Sequence, residues 1–297
     1  MRGWQQALEQ FERAAVLDPR YPAALAGLAD TYTAMSDFGV ASPAEMRPRA
    51  MQMAGRALDL DSRSAEGLAA LGRAQFLFDW DFAAAARNLS RAVARDPDYM
   101  PAYQSIAWLE SARGRYPEAI AAARRALQLD PVNTARYTEL AWVLALGGRY
   151  GDARKEVGRA QQLNPQAVGT YLLEGWTFEL EGQPDAAFAA YRRALRLSGA
   201  PEESLQRVDA TYRAEGLAGY YRGWLNRPAP AGAPMSDTWR AQLYVRAGEL
   251  DRAIESLEHA YQKREGALAW VNVEPGFQPL RPDTRFQQIA ARVIHRR

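Results

Sequence analysis

Residues 101–131, PAYQSIAWLESARGRYPEAIAAARRALQLDP, and residues 135–165, ARYTELAWVLALGGRYGDARKEVGRAQQLNP, are two copies of one pattern. Seven residues recur at an interval of 34 positions: Tyr103, Ala107, Gly114, Tyr116, Ala119, Ala126 and Pro131 return as Tyr137, Ala141, Gly148, Tyr150, Ala153, Ala160 and Pro165. A third copy continues with Tyr171, Gly175, Gly182, Ala187, Tyr191 and Ala194. Self-similarity at a fixed period of this length is the sequence signature of a repeat architecture.

Each copy is typical of two amphipathic helices joined by a turn that contains glycine. Apolar residues recur at helical spacing on both sides of that turn. Small residues at the crossing points let the two helices approach closely. A proline closes the second helix, because the residue before a proline is pushed out of helical geometry. One hairpin leaves an apolar face bare, so neighbouring hairpins must stack to bury it.

The pattern resembles the tetratricopeptide repeat (TPR), in which an aromatic and a small residue are followed by alanine, a second aromatic and a closing proline. The resemblance implies an all-α fold, a right-handed superhelix of helical hairpins (an α-solenoid). A capping helix is expected at the C-terminal end, starting near Asp283.

The repeat can be followed along most of the chain. The predicted TPR array at residues 1–228 contains a half repeat at 4–19, repeats at 22–64, 65–99, 100–133, 134–167 and 168–201, and a degenerate repeat at 202–228. Residues 229–235 are predicted to be a linker, and residues 236–297 a last TPR-like hairpin with the C-terminal cap.

The half repeat predicts that a partner helix is missing. It presents Leu8, Phe11 and Leu17 to a helix that is absent, so we expect either a longer natural protein or a homodimer formed through this surface. The order of features, with GLAGYYRGWL at 216–225 and VEPGFQPLRPDTRF at 273–286, also resembles the C-terminal TPR region of bacterial multidomain signalling and transcription-regulator proteins. That resemblance implies a sensory or regulatory role.

Composition argues against several classes of partner. The 37 basic and 35 acidic residues nearly cancel, so no broad basic field attracts nucleic acid or anionic lipid. The inner positions Ala69, Gln104, Thr138 and Leu172 also lack the polar code of repeat proteins that read RNA. The sequence has no apolar run of about 18 residues, so we expect no membrane insertion. It has no cysteine, which leaves the compartment open, with the cytoplasm favoured over the periplasm.

No combination of residues predicts an enzyme, a cofactor or a metal site. His259 and His295 lie in separate predicted helices without metal-ligand spacing, and both are expected at the surface. The glycine pair at 147–148 belongs to a repeat turn and is not followed by a phosphate-binding lysine. Asp79 and Asp81 precede a helix, where capping is expected of them rather than paired acid–base chemistry.

Trp108, Trp142 and Trp176 repeat at the 34-residue interval and are extra to the packing pattern. The TPR resemblance implies that this position, on the first helix of each hairpin, faces the concave side. In successive repeats it is Asp30, Arg73, Trp108, Trp142, Trp176 and Ala210. We expect Arg73 to stack on Trp108 and to meet Asp30. The flanking residues are small or polar, namely Gln104, Ser111, Thr138 and Ala145, and leave the rings little cover.

Two interpretations of these rings remain. They pack on the neighbouring first helix, or they form an aromatic ladder in a binding groove, since tryptophan is enriched at binding hot spots. In the second case the binding residues are Trp108, Trp142, Trp176, Arg73, Asp30, Gln104 and Thr138. A carboxylate clamp of the chaperone-adaptor type is not expected, because only Arg73 suits it.

The sequence therefore favours a non-catalytic interaction or sensor module. Its expected partner is an extended peptide or protein segment with apolar or proline side chains, bound in the concave groove. Two alternatives stay open: a structural module that self-associates, and an aromatic-lined site for a small ligand or glycan.

Overall fold

The computed structural model describes residues 2–227 and 235–294, which form helices and connecting turns. The α-helices are α1 (Arg2–Leu17), α2 (Pro22–Asp37), α3 (Pro43–Leu60), α4 (Ala65–Ala74), α5 (Phe82–Arg95), α6 (Met100–Ala112), α7 (Tyr116–Leu129), α8 (Thr134–Leu146), α9 (Tyr150–Leu163), α10 (Val168–Leu180), α11 (Pro184–Leu197), α12 (Glu202–Leu225), α13 (Asp237–Ala247), α14 (Leu250–Lys263) and α15 (Thr284–Ile294). A π-helical turn, Gln75–Asp79, extends α4, and two 3-10 helices, Gly266–Trp270 and Pro275–Leu280, precede α15. Residues 229–234 of the predicted linker and His295 lie outside the described residues.

Consecutive helices pair as antiparallel hairpins that stack on one another. The most extensive packing lies within the pairs α2–α3, α4–α5, α6–α7, α8–α9, α10–α11 and α13–α14. The predicted all-α solenoid of helical hairpins is therefore confirmed. Ala119, Ala126, Ala153 and Ala160 are fully buried at the helix crossings, as their place in the repeat predicts.

The turn between α8 and α9 shows why glycine recurs in each copy. Gly148 has φ of +74°, a left-handed conformation that glycine adopts without steric cost. The Gly148 N–H donates to the Ala145 carbonyl at 3.0 Å, and the Arg149 N–H donates to the Leu144 carbonyl at 2.8 Å. This pair of bonds is a Schellman motif, which satisfies the last carbonyls of α8. Gly114 and Gly182 occupy the same conformation in the neighbouring copies.

The N-terminal helix has a partner within this chain. Leu8 and Phe11 are partly buried and pack on α2. Gly27 makes room for this contact, since a Cβ at that position would lie 2.3 Å from Cε1 of Phe11. The expectation that Leu8 and Phe11 face an absent helix is therefore wrong. Only Leu17 of the three is exposed, at 76%.

The DWD sequence at residues 79–81 joins the second hairpin to the C-terminal part of the chain. Asp81 accepts from the Ala84 N–H at 2.8 Å, so its predicted capping role is confirmed. Asp79 instead accepts from Nε of Arg47 at 2.7 Å, so the capping expectation for Asp79 is wrong. Trp80 is fully buried, and its ring stacks on Tyr261 of α14 with centroids 5.6 Å apart.

The C-terminal segment folds back onto the early hairpins. Its buried side chains share one hydrophobic cluster with those of α4 to α6; the cluster includes Leu68, Phe76, Leu89, Leu109, Leu257, Leu268, Phe277, Leu280, Phe286 and Val293. The segment from Gly266 to Ile294, termed the tail below, therefore bridges helices that are distant in sequence. Ala267, Trp270 and Glu274 of the tail line part of the concave side of the array.

The crossing at Ala153 gives a test of the repeat register. Replacing Ala153 with leucine should cost roughly 1–3 kcal/mol of unfolding free energy, because the site is fully buried and cannot admit a larger side chain without strain. Chemical denaturation would measure the loss. The matched control is Gly158→Ala in the same helix, where no atom lies within 4 Å of an added Cβ. Equal midpoints for Ala153→Leu and the wild-type chain would show that the register is wrong.

Candidate binding cavity

A cavity of about 1200 Å3 lies on the concave side of the array. The first helices α2, α4, α6, α8 and α10 line it, together with α12, α13 and the tail. The lining contains all seven residues predicted from the sequence: Asp30, Arg73, Gln104, Trp108, Thr138, Trp142 and Trp176. The repeat pattern therefore predicted correctly that these side chains, from five different helices, lie on one surface.

Arg73 makes both contacts predicted for it. Its guanidinium lies over the Trp108 ring, 5.0 Å from the centroid. Its Nη1 is 3.9 Å from Oδ1 of Asp30, at the outer limit of an ion pair. The positive charge of Arg73 is thus held between an aromatic ring and a carboxylate on the neighbouring helix.

Trp142 has a partner that the repeat pattern did not reveal. The ring of Trp270 meets it edge-on, with centroids 5.5 Å apart and planes at 73°. Trp270 is itself fixed, because its Nε1 donates to Oγ of Ser111 at 2.9 Å. All three ladder tryptophans are half-buried. The expectation that little covers them is therefore wrong at Trp142, which combines a packing contact with a place in the cavity wall.

Aromatic residues outside the ladder line both ends of the cavity. At the α1–α2 end, Trp4 and Phe38 lie with ring centroids 5.4 Å apart. At the α12–α13 end, Trp224 and Trp239 form a second pair at 5.9 Å. Sequence reasoning missed these pairs because none of the four residues occupies the repeating position of the ladder.

A buried ion pair lies in the wall next to Trp108. Nη1 of Arg136 donates to Oε2 of Glu139 at 2.7 Å, and each residue is 8% exposed. The Gln104 amide, oriented to match donors with acceptors, accepts from Nη1 and Nη2 of Arg136 at 3.1 Å. Oε1 of Glu139 has no hydrogen-bond partner in the described part of the chain. Burial raises the pKa of Glu139 to about 7, although Arg136 and Arg73 oppose this shift.

This pKa predicts how stability depends on pH. The folded-state pKa of about 7 exceeds the ordinary value of 4.5, so the folded chain binds this proton more tightly than the unfolded chain. The resulting stabilisation is complete below the unfolded pKa and is lost as pH rises through 7. Urea unfolding of the wild-type chain should therefore lose free energy between about pH 5 and 8 relative to Glu139→Gln. If the unfolding free energies of the two chains changed with pH in parallel, Glu139 would not be a buried ionisable group with a raised pKa.

A second polar cluster joins the array to α13. Glu179 of α10 accepts from the hydroxyl of Tyr191 at 2.8 Å and from the hydroxyl of Tyr221. Nε of Arg246 donates to the other oxygen of Glu179 at 3.0 Å. Burial raises the pKa of Glu274, and Arg246 opposes that shift. These contacts tie α10, α11, α12 and α13 together at one end of the cavity.

The charges around the cavity are unbalanced. The described lining contains five carboxylates and three guanidinium groups: Asp30, Asp37, Glu66, Glu139 and Glu274 against Arg73, Arg136 and Arg246. Burial raises the pKa of both Asp30 and Asp37, and Arg73 opposes both shifts. The cavity therefore combines aromatic rings with an excess of acidic groups.

The structure was also searched for a histidine site, a metal site and a membrane-spanning helix. His259 is exposed on α14, as predicted. Within residues 2–227 and 235–294, no group of three or more metal-binding side chains comes together. None of the described helices has the length and apolar character needed to cross a membrane.

The stacked hairpins and their concave groove define an all-α repeat protein, and family models identify the repeats. Three tetratricopeptide-repeat models match the chain, at residues 81–134, 110–172 and 168–201. The chain therefore contains TPR repeats, as the sequence pattern predicted.

The chain is similar to several solved structures, and among them PilW shares its fold. PilW, described as a widely conserved type IV pilus biogenesis factor, is 24% identical with a TM-score of 0.53, over 70% of this chain and 92% of PilW. TTC0263, a TPR protein of Thermus thermophilus, is 21% identical with a TM-score of 0.46, over 58% of this chain and 92% of its own. YrrB, described as a TPR protein with an unusual peptide-binding site, is 15% identical with a TM-score of 0.44, over 68% of this chain and 98% of YrrB. No curated protein matches the chain.

Proposed function

We propose that this chain is a non-catalytic interaction module that binds a short extended segment of a partner protein in its concave cavity. The observation that carries the proposal is the position of Trp108, Trp142 and Trp176. They lie on the first helices of three successive hairpins and line one cavity. TPR arrays are in general protein–protein interaction modules, which agrees with such a role.

The size and lining of the cavity favour a peptide. Pockets for drug-sized ligands measure about 300–1,000 Å3, and this cavity, at about 1200 Å3, is larger. Tryptophan is among the residues most often found at binding hot spots, where its truncation costs about 2 kcal/mol or more. We therefore propose that apolar or proline side chains of the segment contact the tryptophan rings. We further propose that this binding serves a sensory or regulatory role, which the resemblance of the sequence to bacterial signalling proteins supports.

Selection from a random library of 12-residue peptides displayed on phage tests the proposal. A selected peptide, titrated by calorimetry, should bind Trp142→Ala at least about tenfold more weakly than the wild-type chain. The control is Leu163→Ala, which removes an exposed side chain at the end of α9 and should bind normally. Thermal unfolding of each variant establishes that it is folded. Failure to enrich any peptide, or equal affinity for Trp142→Ala and the wild-type chain, would reject the proposal.

Binding of a small ligand or glycan in the aromatic-lined cavity is the second candidate function. The aromatic lining of the cavity, which includes the contact of Trp270 with Trp142, favours it, because hydrophobic and aromatic side chains line most small-ligand sites. The same cavity would then bind a free small molecule or sugar more tightly than any library peptide.

Self-association is the third candidate. Val16 and Leu17 at the end of α1 are 78% and 76% exposed, which leaves an apolar surface there. Light scattering would show a dimer that Leu17→Gln disrupts, whereas a monomer at all concentrations would exclude this role.

A further inference from the structure

We infer that Trp270, which lies in the tail and outside the repeats, is a positioning residue of the binding cavity. It holds the indole of Trp142 in the orientation that the ligand meets, and Ser111 in turn holds Trp270. This inference rests on the proposed function and deepens it, because the binding surface then needs the tail as well as the repeats.

Trp270 is fixed by two contacts with the array. Its Nε1–H donates to Oγ of Ser111 at 2.9 Å, and its ring meets that of Phe76 edge-on, with centroids 5.2 Å apart and planes at 81°. Ser111 on α6 and Phe76 in the π-helical turn after α4 are both fully buried. A hydrogen bond at one atom combined with a T-shaped ring contact leaves the indole one favoured position.

The hydroxyl of Ser111 has a donor role and an acceptor role in this arrangement. It donates to the Trp108 carbonyl at 2.7 Å, so its single proton is engaged and its oxygen is left to accept from the Trp270 indole. The tail is therefore hydrogen-bonded to α6 within one turn of a ladder tryptophan. An alanine in place of Ser111 could not form this bond.

The orientation of Trp142 depends on Trp270. The two rings meet edge-on, with centroids 5.5 Å apart and planes at 73°. The neighbours of Trp142 one turn away along α8 are Thr138 and Ala145, whose side chains are too short to hold an indole by themselves. Both tryptophans line the cavity and are half-buried. A ring that is already ordered costs less to bind than one that the ligand must immobilise.

Calorimetric titration of the peptide selected above tests this role. Trp270→Leu should bind about three- to tenfold more weakly than the wild-type chain, the effect of losing one aromatic pair. Ser111→Ala should weaken binding by a smaller factor, because it removes the hydrogen bond and keeps both rings. The matched control is Phe286→Leu, which trims a buried side chain of the tail outside the described cavity lining and should bind normally.

Two further measurements separate positioning from a general loosening of the tail. In the background of Trp142→Ala, Trp270→Leu should change affinity less than about twofold, because the ring that it positions is gone. In the free chain labelled with 5-fluorotryptophan, the fluorine resonance of Trp142 can be assigned from its loss in Trp142→Phe. That resonance should shift and broaden in Trp270→Leu and stay unchanged in Phe286→Leu.

The outcomes separate this inference from the proposed function. A peptide that needs Trp142 but binds Trp270→Leu as tightly as the wild-type chain would overturn the inference and leave the function standing. So would an unchanged Trp142 resonance in Trp270→Leu, an equal loss of affinity with and without the Trp142 ring, or an equal loss in Phe286→Leu. Failure to select any peptide would overturn both. Circular dichroism of each variant shows that it is folded under the conditions of the titration.

Discussion

Replacing Phe277 with alanine should destabilise the entire chain by about 3–5 kcal/mol, the usual cost of emptying a buried phenylalanine site. Phe277 is 1% exposed and lies in the tail, where its ring is 6.2 Å from that of Phe286. It belongs to the same hydrophobic cluster as side chains of α4 and α6. Because this cluster spans the array and the tail, the loss should appear in the unfolding of both.

Denaturation followed by tryptophan fluorescence and by far-ultraviolet circular dichroism measures this effect. The two probes should give one shared transition, displaced to lower denaturant in Phe277→Ala. The control is Val132→Ala, which is 80% exposed in the turn before α8 and should leave the midpoint unchanged. An early transition that involves the tail alone, with the array unaffected, would contradict a common core.

Arg246→Met should destabilise the chain by about 2–5 kcal/mol, since it leaves a largely buried carboxylate without its charged partner. The side chains of Glu179 and Arg246 are 20% and 12% exposed. The double variant Glu179→Leu with Arg246→Met removes both charges and should lose clearly less than the sum of the two single variants. A double-mutant cycle from denaturation data gives this coupling. Additive losses would show that the contact between α10 and α13 does not hold this end of the cavity together.

The repeat period is why so much of the fold and of the cavity wall could be predicted. Residues at one position of successive copies occupy equivalent places in a stacked array. The proximity of Arg73, Trp108 and Trp142 could therefore be predicted from the repeat interval alone. The partners of Arg73 followed from the same counting, since Asp30 and Trp108 lie one repeat to either side. In the same way, the repeat position of Gly148 predicted the turn between α8 and α9, and that of Ala153 predicted a close helix crossing.

The contacts of the tail with the groove could not be predicted in this way. The bond from Trp270 to Ser111 joins residues 159 positions apart, and an amphipathic pattern shows which face of a segment is buried but not which partner buries it. The tail has no counterpart in the repeat that would fix its place. Glu139 was missed for a different reason. With Arg136 it forms an i,i+3 pair that in sequence looks like an ordinary exposed pair on a helix.

Photo-crosslinking from inside a bound peptide tests the central claim most directly, namely that the ligand occupies the cavity lined by the first helices and the tail. A selected peptide would carry benzoylphenylalanine at its apolar position, and mass spectrometry would locate the crosslinked residue. We predict crosslinks to cavity-lining residues on α6, α8 and α10 or to Trp270, and their loss when unlabelled peptide competes. Crosslinks confined to the second helices α5, α7 and α9, on the opposite side of the array, would contradict it.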